Sequence, residues 1–217
     1  MARVRVRQHV NPLSQKYQDP IPLPNWEGVF ANPQNPLFVD IGCARGRFVL
    51  GMAQEWPEMN FLGVEIREPL VIEANEKRDR KGLSNLHYVF SNINVDLPCL
   101  LASLPPRVLH TIAVQFPDPW FKKRHAKRRI VQPELVDAVA KYLPSGGQVF
   151  LQSDIEFVAV EMRDRFLAHP QFTPQHPTLW LTENPFPVIT ERERATQNKG
   201  EPVYRCLLVF GKNEDHR

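Results

Sequence analysis

Five short apolar runs alternate along the chain with segments whose apolar residues recur at helical spacing. The runs are LFVDIG, FLGVEI, LHYVF, VLHTIAVQF and GQVFLQS, and the segments between them include RFVLGMAQEWP, EPLVIEANEKRDRKG and QPELVDAVAKYLPSGG. Short apolar runs separated by helices are typical of βαβ units, in which parallel strands form a sheet that helices cover on both faces. We therefore predict an α/β fold with a single doubly wound, mostly parallel sheet.

The composition changes at about residue 36. Residues 1–36 are rich in Arg, Asn and Pro, and because proline fixes φ and lacks an N–H donor, we predict an extended basic N-terminal arm there. Residues 37–217 form the predicted globular domain. The last part of this domain adds two strand-like runs, TLWLTE and VYRCLLVF.

Composition excludes several protein classes. The three cysteines, Cys43, Cys99 and Cys206, are scattered and odd in number, which indicates a reduced, cytoplasmic chain without a disulfide framework or a zinc site. The chain has no signal-peptide-like start and no long apolar span, so we expect no membrane contact. Because the net charge is only +3, any nucleic-acid interface must come from a local patch.

A glycine-containing loop follows the first predicted strand, in FVDIGCARGRF. Gly42 and Gly46 let the chain turn tightly and let a ligand approach the backbone, and a helix beginning here offers its N-terminus to a polar group. Glu65 ends the second predicted strand, where a carboxylate accepts hydrogen bonds from ribose hydroxyls. An ordinary strand-to-helix turn is the structural alternative, but the loop and Glu65 together favour a ligand that contains a nucleoside.

The ligand could be NAD or S-adenosylmethionine, each of which contains a nucleoside. Asp40, just before the loop, would repel a pyrophosphate but would suit the amino group of a methionine moiety, and the loop lacks the full GxGxxG. The pattern therefore favours S-adenosylmethionine. Asn92, after the third predicted strand, has the donor and the acceptor that the edge of an adenine requires, although a helix N-cap explains the same residue.

The most specific motif is FPDPWFKKRHAKRRI, which begins at the end of the fourth predicted strand. Ligands bind beyond the carboxyl ends of the strands in open α/β sheets, and Pro117 and Pro119 hold Asp118 rigidly at that place. Six Lys and Arg residues follow between positions 122 and 129, and such a cluster pairs with phosphates. A solvated helix face explains an ordinary charge run, and core packing explains Trp120, but a run of a single sign beside a cofactor site favours RNA.

These motifs resemble those of the bacterial tRNA (guanine-N7)-methyltransferases over nearly the whole chain, from RQHVNPLS to the C-terminus. FPDPW with its basic run is the most specific match, and DIGCARG, GVEI, SDIE and TERE support it. The resemblance implies a seven-stranded class I (Rossmann-like) methyltransferase fold and S-adenosylmethionine as methyl donor, with no metal. It implies transfer to N7 of the variable-loop guanosine at tRNA position 46, which forms 7-methylguanosine. It implies no obligatory protein partner and leaves a homodimer open.

The resemblance also implies roles for individual residues, with Asp118 as the catalytic residue. The implied cofactor contacts are Asp40, Gly42, Gly46, Glu65, Asn92 and Asp118. The implied substrate contacts are Lys122, Asp154, Thr190, Glu191, Arg192 and Glu193. The implied RNA-binding residues are Arg124, His125, Lys127, Arg128 and Arg129. On sequence alone, Asp154 also suits a helix N-cap and TERE also suits a solvated turn.

The glycine loop departs from the family pattern at two positions. The family commonly has Glu-Ile-Gly-x-Gly-x-Gly, whereas this chain has Asp40 at the acid and Ala44 at the middle glycine. The shorter acid keeps the charge. Alanine adds a methyl group where the cofactor approaches, so the expected effect is a weaker cofactor affinity.

The predicted chemistry needs positioning rather than a base, because guanine N7 carries an exposed lone pair. We predict that Asp118 orients the base and stabilises the positive charge, with Asp154 as the second candidate. Two other hypotheses remain: a class I methyltransferase that acts on a protein or a small molecule, and a non-catalytic RNA-binding protein with the same fold. A dinucleotide oxidoreductase has less support because GxGxxG is missing.

Overall fold

The computed structural model describes residues 10–211, and Arg3, Arg5 and Arg7 of the predicted basic arm lie outside them. The seven strands are β1 (Leu37–Ile41), β2 (Asn60–Glu65), β3 (Leu86–Phe90), β4 (Leu109–Gln115), β5 (Gln148–Ser153), β6 (Phe172–Pro174) and β7 (Tyr204–Phe210). They form one sheet in the order β3-β2-β1-β4-β5-β7-β6. β7 runs antiparallel to β5 and β6, while the pairs from β3 to β5 are parallel. The predicted mostly parallel seven-stranded sheet is confirmed.

Helices cover both faces of this sheet. They are α1 (Trp26–Val29), α2 (Arg47–Glu55), α3 (Glu68–Lys81), α4 (Ile93–Ala102), α5 (Pro133–Tyr142), α6 (Glu156–Leu167) and α7 (Glu191–Asn198), with 3-10 turns at Gln15–Tyr17 and Lys123–Arg128. Neighbouring strand residues point to opposite faces, so Phe38 packs in the core beside α2 and α3 while Val39 packs in the core beside α4, α5 and α6. Burial on both faces explains why the strands are continuously apolar.

One predicted strand is wrong. Residues 178–183, TLWLTE, form bends, and the edge strand is β6 instead. The hydroxyl of Thr178 donates to the carbonyl of Trp180 at 2.9 Å. A side chain that bonds to its own segment in this way competes with a regular ladder. Trp180 packs against the ring of Tyr204, with 5.5 Å between the ring centroids, so the apolar residues of this run pack on β7 without joining the sheet as a strand.

The described part of the N-terminal segment packs on the domain. Trp26 and Phe30 are buried in the core beside α4, and the indole N–H of Trp26 donates to the hydroxyl of Ser103 at 3.0 Å. Residues 1–36 were predicted to be an extended arm, and the described part, residues 10–36, includes a short helix and two core aromatic residues. The division of the chain at residue 36 stays a prediction.

Candidate functional site

A cavity of about 850 Å³ lies at the carboxyl ends of β1 to β4. The order of the strands reverses between β1 and β4, and α/β sheets bind ligands at such a point. The predicted site residues in the cavity wall are Asp40, Gly42, Glu65, Asn92, Asp118, Arg128, Asp154, Thr190, Glu191 and Arg192. Those outside the wall are Gly46, Lys122, Arg124, His125, Lys127, Arg129 and Glu193. The fold therefore brings together most residues predicted to contact a cofactor.

The loop after β1 turns through three left-handed residues, Gly42, Ala44 and Gly46, with φ angles of 81°, 51° and 66°. A Cβ at Gly46 would lie 2.2 Å from the ring of Tyr88, whose hydroxyl donates to the carbonyl of Gly46 at 2.6 Å. Gly46 thus lets the loop pack on β3. Ala44 adopts a left-handed conformation that is costly for a residue with a Cβ, so this position is strained.

Asp40 is buried at the end of β1, with 3% of its surface exposed. The side-chain amide of Gln115, on β4, donates to Oδ1 of Asp40 at 3.0 Å. Burial raises the pKa of Asp40 to about 7; the hydrogen bond from Gln115 opposes this rise, and the negative charge of Glu65 adds to it. A desolvated carboxylate of this kind is suited to a cationic group.

Glu65, at the end of β2, accepts four hydrogen bonds. Its Oε1 accepts from the backbone N–H and from Nε of Arg67, at 3.0 and 2.8 Å, and its Oε2 accepts from the N–H of Ala44 and from Nη2 of Arg67, at 2.9 and 3.0 Å. The bond to Glu65 raises the pKa of Arg67, and the negative charge of Asp118 contributes as well. Arg67 is therefore the counter-ion of Glu65 in the cavity wall, and the sequence analysis missed it. Its position two residues after the acid in GVEIRE was the available signal.

Asn92 holds the N-terminal segment over the cavity. Its amide nitrogen donates to the carbonyl oxygens of Pro12 and Tyr17, each at 2.9 Å, and its side chain makes no capping bond to α4. Pro12 also lines the cavity. The side chain of Asn92 therefore does not cap α4, as the alternative prediction required. The predicted adenine contact stays a prediction, because the amide N–H groups are bonded to the chain.

The loop that carries Asp118 is bounded by two left-handed residues, Phe116 and Trp120, with φ angles of 49° and 44°. Arg129 links this loop to α6. Its guanidinium donates to the carbonyls of Pro119 and Trp120 at 2.9 and 3.2 Å and pairs with Glu161 of α6. Strained backbone persists only where the surroundings enforce it, and it concentrates at functional sites. This arrangement fixes Asp118 in the cavity wall.

The basic segment, Lys122–Arg129, has an exposed side and an inner side. Lys122, Arg124 and Lys127 are exposed. Arg129 faces inward and makes the loop contacts described above, and its predicted RNA contact stays a prediction. The guanidinium of Arg128 lies over the ring of Trp120, 4.9 Å from its centroid. Trp120 therefore contacts the basic segment, whereas the alternative prediction placed it in the apolar core.

His125 lies beside Trp120 within the basic segment. Its ring lies edge-on to Trp120, with 5.7 Å between the centroids. Desolvation lowers the pKa of His125, and the positive charges of Arg128, Arg124 and Lys122 lower it further. The imidazole is therefore mostly neutral at pH 7.

The motif TERE begins helix α7, where a solvated turn was the alternative. The hydroxyl of Thr190 accepts from the N–H of Glu193 at 3.0 Å, which makes Thr190 the N-cap. Arg192 pairs with Asp154, donating from Nε at 2.8 Å, and Glu191 pairs with Arg47. Asp154 is therefore bonded to α7 and is not the N-cap of α6, which is Ile155.

Glu193 is an interior residue of α7, with none of its surface exposed. It pairs with the buried Arg205 of β7 at 2.6 Å and also accepts from Asn184 at 2.7 Å. Its predicted substrate contact stays a prediction. In this structure the residue anchors the helix that carries Glu191 and Arg192 to the cavity.

A chain of buried side-chain hydrogen bonds joins Asp40 to this anchor. Gln152 of β5 donates to Oε1 of Gln115 at 2.7 Å and to Oε2 of Glu193 at 3.3 Å, and Gln115 donates to Asp40. Sequence analysis missed both glutamines. Each is a polar residue near the end of an otherwise apolar run, in VLHTIAVQF and GQVFLQS, which is the pattern that could have identified them.

Two further properties concern the part of the chain between residues 10 and 211. It contains no group of three or more His, Cys, Asp or Glu side chains that could hold a metal ion. None of its helices combines the length and the apolarity that a membrane crossing needs.

Sequence comparisons identify relatives over nearly the full length. A family model described as "Putative methyltransferase" matches residues 34–206. The tRNA (guanine-N(7)-)-methyltransferase of Microcystis aeruginosa (strain NIES-843 / IAM M-2473) is 64% identical over 208 residues, which cover 96% of this chain and 99% of that protein. The protein of the same name from Trichormus variabilis (strain ATCC 29413 / PCC 7937) is 65% identical over 205 residues, covering 94% of this chain and 95% of that protein.

Structure comparison agrees at the level of the fold. The 16S rRNA methyltransferase KamB superposes with a TM-score of 0.59 at 14% sequence identity, covering 88% of this chain and 96% of that chain. A likeness at this identity shows a shared architecture.

Proposed function

The chain belongs to the family of the tRNA (guanine-N(7)-)-methyltransferases, and on this premise we propose that it transfers a methyl group from S-adenosylmethionine to N7 of the variable-loop guanosine at tRNA position 46. The observation that carries the proposal is the convergence of Asp40, Glu65 and Asp118 in one cavity, next to the basic segment. The carboxylates that would bind a cofactor thus lie beside the Lys and Arg side chains that would bind phosphates, as a methyltransferase acting on RNA requires.

The residues of the cavity fit S-adenosylmethionine. A cavity of about 850 Å³ is within the usual range for sites that hold a small molecule. The desolvated Asp40 would hold the cationic amino group, and Glu65 would accept from the ribose hydroxyls. Because the acceptor positions of Glu65 are occupied by Ala44 and Arg67, the hydroxyls would replace donors of Arg67 there.

S-adenosylmethionine supplies, when bound, an electrophilic methyl group on a sulfonium. Guanine N7 already has a lone pair, so the chain need not remove a proton from it before the transfer. Asp118 is held rigidly in the cavity wall, and its carboxylate would accept from the guanine N1 and N2 hydrogens. The same negative charge would stabilise the positive charge that the purine acquires. Asp118 is thus assigned to orientation and charge stabilisation.

The remaining roles follow from exposure and contacts. Lys122, Arg124 and Lys127 would contact tRNA phosphates, since their side chains are exposed beside the cavity. Asp154 and Arg192, paired with each other at the cavity wall, would contact the substrate together. The three unpaired cysteines agree with a reduced compartment, and we include the cytoplasm in the proposal.

The test is methyl transfer from labelled S-adenosylmethionine to an unmodified tRNA transcript, followed by nucleoside analysis. The expected product is 7-methylguanosine, absent when adenosine replaces the variable-loop guanosine. Asp118→Asn should lower kcat at least ~100-fold while tRNA affinity changes little. Asp137→Asn, an exposed acid on α5, is the matched control and should behave as wild type. Unchanged turnover of Asp118→Asn would refute the assigned role, and label in no tRNA would refute the substrate.

A further inference from the structure

Phe121 is the most exposed large apolar side chain among residues 10–211, with 70% of its surface in solvent. Phe157, at the start of α6, is 40% exposed, and the two ring centroids lie 5.9 Å apart at an interplanar angle of 56°. We refer to Phe121 and Phe157 as the aromatic pair. Large aromatic residues gain free energy by burial, so an exposed pair of this kind indicates a surface that something else covers.

The pair is held in place by the same arginine that fixes the Asp118 loop. The guanidinium of Arg129 lies 5.1 Å from the centre of the Phe157 ring, and it donates to the carbonyls of Pro119 and Trp120 immediately before Phe121. The neighbouring Trp120 is half-buried and has partners within the chain, with Arg128 over its ring and His125 in a T-shaped ring contact. Of two consecutive aromatic residues, one is therefore bound to the protein and the other is presented to solvent.

The surroundings of the pair select an anionic partner with flat, apolar faces. Lys122, Lys123 and Arg124 follow Phe121 directly and are exposed, so a run of cations borders the pair on the Phe121 side. Phe121 also lines the cavity that contains Asp118, so a ligand on the pair would lie at the mouth of the proposed methyl-transfer site. A single-stranded nucleic acid combines phosphate charge with aromatic faces, and proteins bind it by placing bases on exposed aromatic side chains within a basic groove.

We propose that the aromatic pair is a stacking platform for an unstacked nucleobase of the bound tRNA. The inference rests on the proposed function. An enzyme that acts on a base takes that base out of the stack, so at least one base face loses its stacking partner when the guanosine enters the cavity. The platform supplies a replacement surface at the place where this happens, and the basic residues around it hold the backbone.

Steady-state methylation with varied tRNA concentration tests the platform. Phe121→Ala should raise the KM for tRNA by about 10-fold to 100-fold, the range expected for loss of one stacked base. Phe121→Trp should stay within about 3-fold of wild type because it keeps a flat aromatic face. Phe121→Leu, which keeps apolar area but no π face, should resemble Phe121→Ala. Leu179→Ala removes a comparably exposed side chain elsewhere and should match wild type.

Direct tRNA binding and light scattering complete the test. The dissociation constants for tRNA should follow the same order as the KM values. All Phe121 variants should remain folded because this side chain is largely exposed. Equal tRNA affinity of Phe121→Ala and wild type, or full affinity of Phe121→Leu, would overturn the platform. Loss of self-association without a change in tRNA affinity would assign the pair to a second copy of the chain and also overturn it. If wild type forms no 7-methylguanosine, the proposed function fails instead.

Discussion

Replacing Asp40 with asparagine should stabilise the folded chain at pH 8 while it weakens cofactor binding. Burial raises the pKa of this carboxyl from 3.8 to about 7 in the folded chain. Between these pH values the folded chain holds a proton on Asp40 that the unfolded chain has released. The contribution of Asp40 to the free energy of unfolding therefore falls as the pH rises from about 4 to about 7, and this contribution is constant above pH 7. Asparagine has no charge to desolvate and can still accept from Gln115.

The size of the effect follows from the pKa difference. Because each pKa unit corresponds to 1.36 kcal/mol, the ionised carboxylate costs at most about 4 kcal/mol of stability at pH 8. Solvent entering the cavity screens part of this, so we expect a gain of about 2 to 4 kcal/mol for Asp40→Asn at that pH. For a chain of this length, the gain corresponds to a rise in Tm of at least about 4 °C. Between pH 5 and pH 8 the advantage of the variant should grow by about 2 kcal/mol.

Urea unfolding, followed by tryptophan fluorescence at pH 5, 6, 7 and 8 without cofactor, measures this difference directly. Histidines and other carboxylates are common to both proteins and cancel. Asp137→Asn, on the exposed side of α5, should run parallel to wild type at every pH. Titration with S-adenosylmethionine should show weaker binding to Asp40→Asn at pH 8. Parallel pH profiles for Asp40→Asn and wild type would show that the buried carboxylate is not the source of the penalty.

Two further predictions concern residues whose conformation or burial the structure defines. Glu193→Gln should lower the free energy of unfolding by about 3 kcal/mol in urea, because it leaves the charge of Arg205 buried without a counter-ion. Glu191→Gln, at an exposed ion pair, is the control and should change it by less than about 0.5 kcal/mol. Equal losses for the two variants would contradict the anchoring role of Glu193. Ala44→Gly should raise stability by up to about 1 kcal/mol, because φ of 51° strains a residue with a Cβ; a lower Tm by calorimetry would argue against strain in this loop.

The sequence predicted the sheet and the cavity well because both depend on periodic or short-range signals. The apolar runs coincide with β1 to β5 and β7, and the polar residues near the ends of β1 and β2, Asp40 and Glu65, lie at the cavity as neighbouring parallel strands require. Whether a charged side chain outside the strands faces solvent or the interior depends on tertiary contacts. Arg129 and Glu193 therefore resembled surface charges until Glu161 and Arg205 were placed beside them.

The counter-ions of the cavity show which acid is left for a cationic ligand. Like charges in a low-dielectric cavity raise one another's pKa unless a cation compensates them. Arg67 compensates Glu65 by hydrogen bonds and Asp118 through its charge. Asp40 accepts from the neutral amide of Gln115, and burial raises its pKa to about 7. A cationic amino group beside Asp40 would favour its ionised form, so cofactor binding would offset the cost of burying this carboxylate at neutral pH.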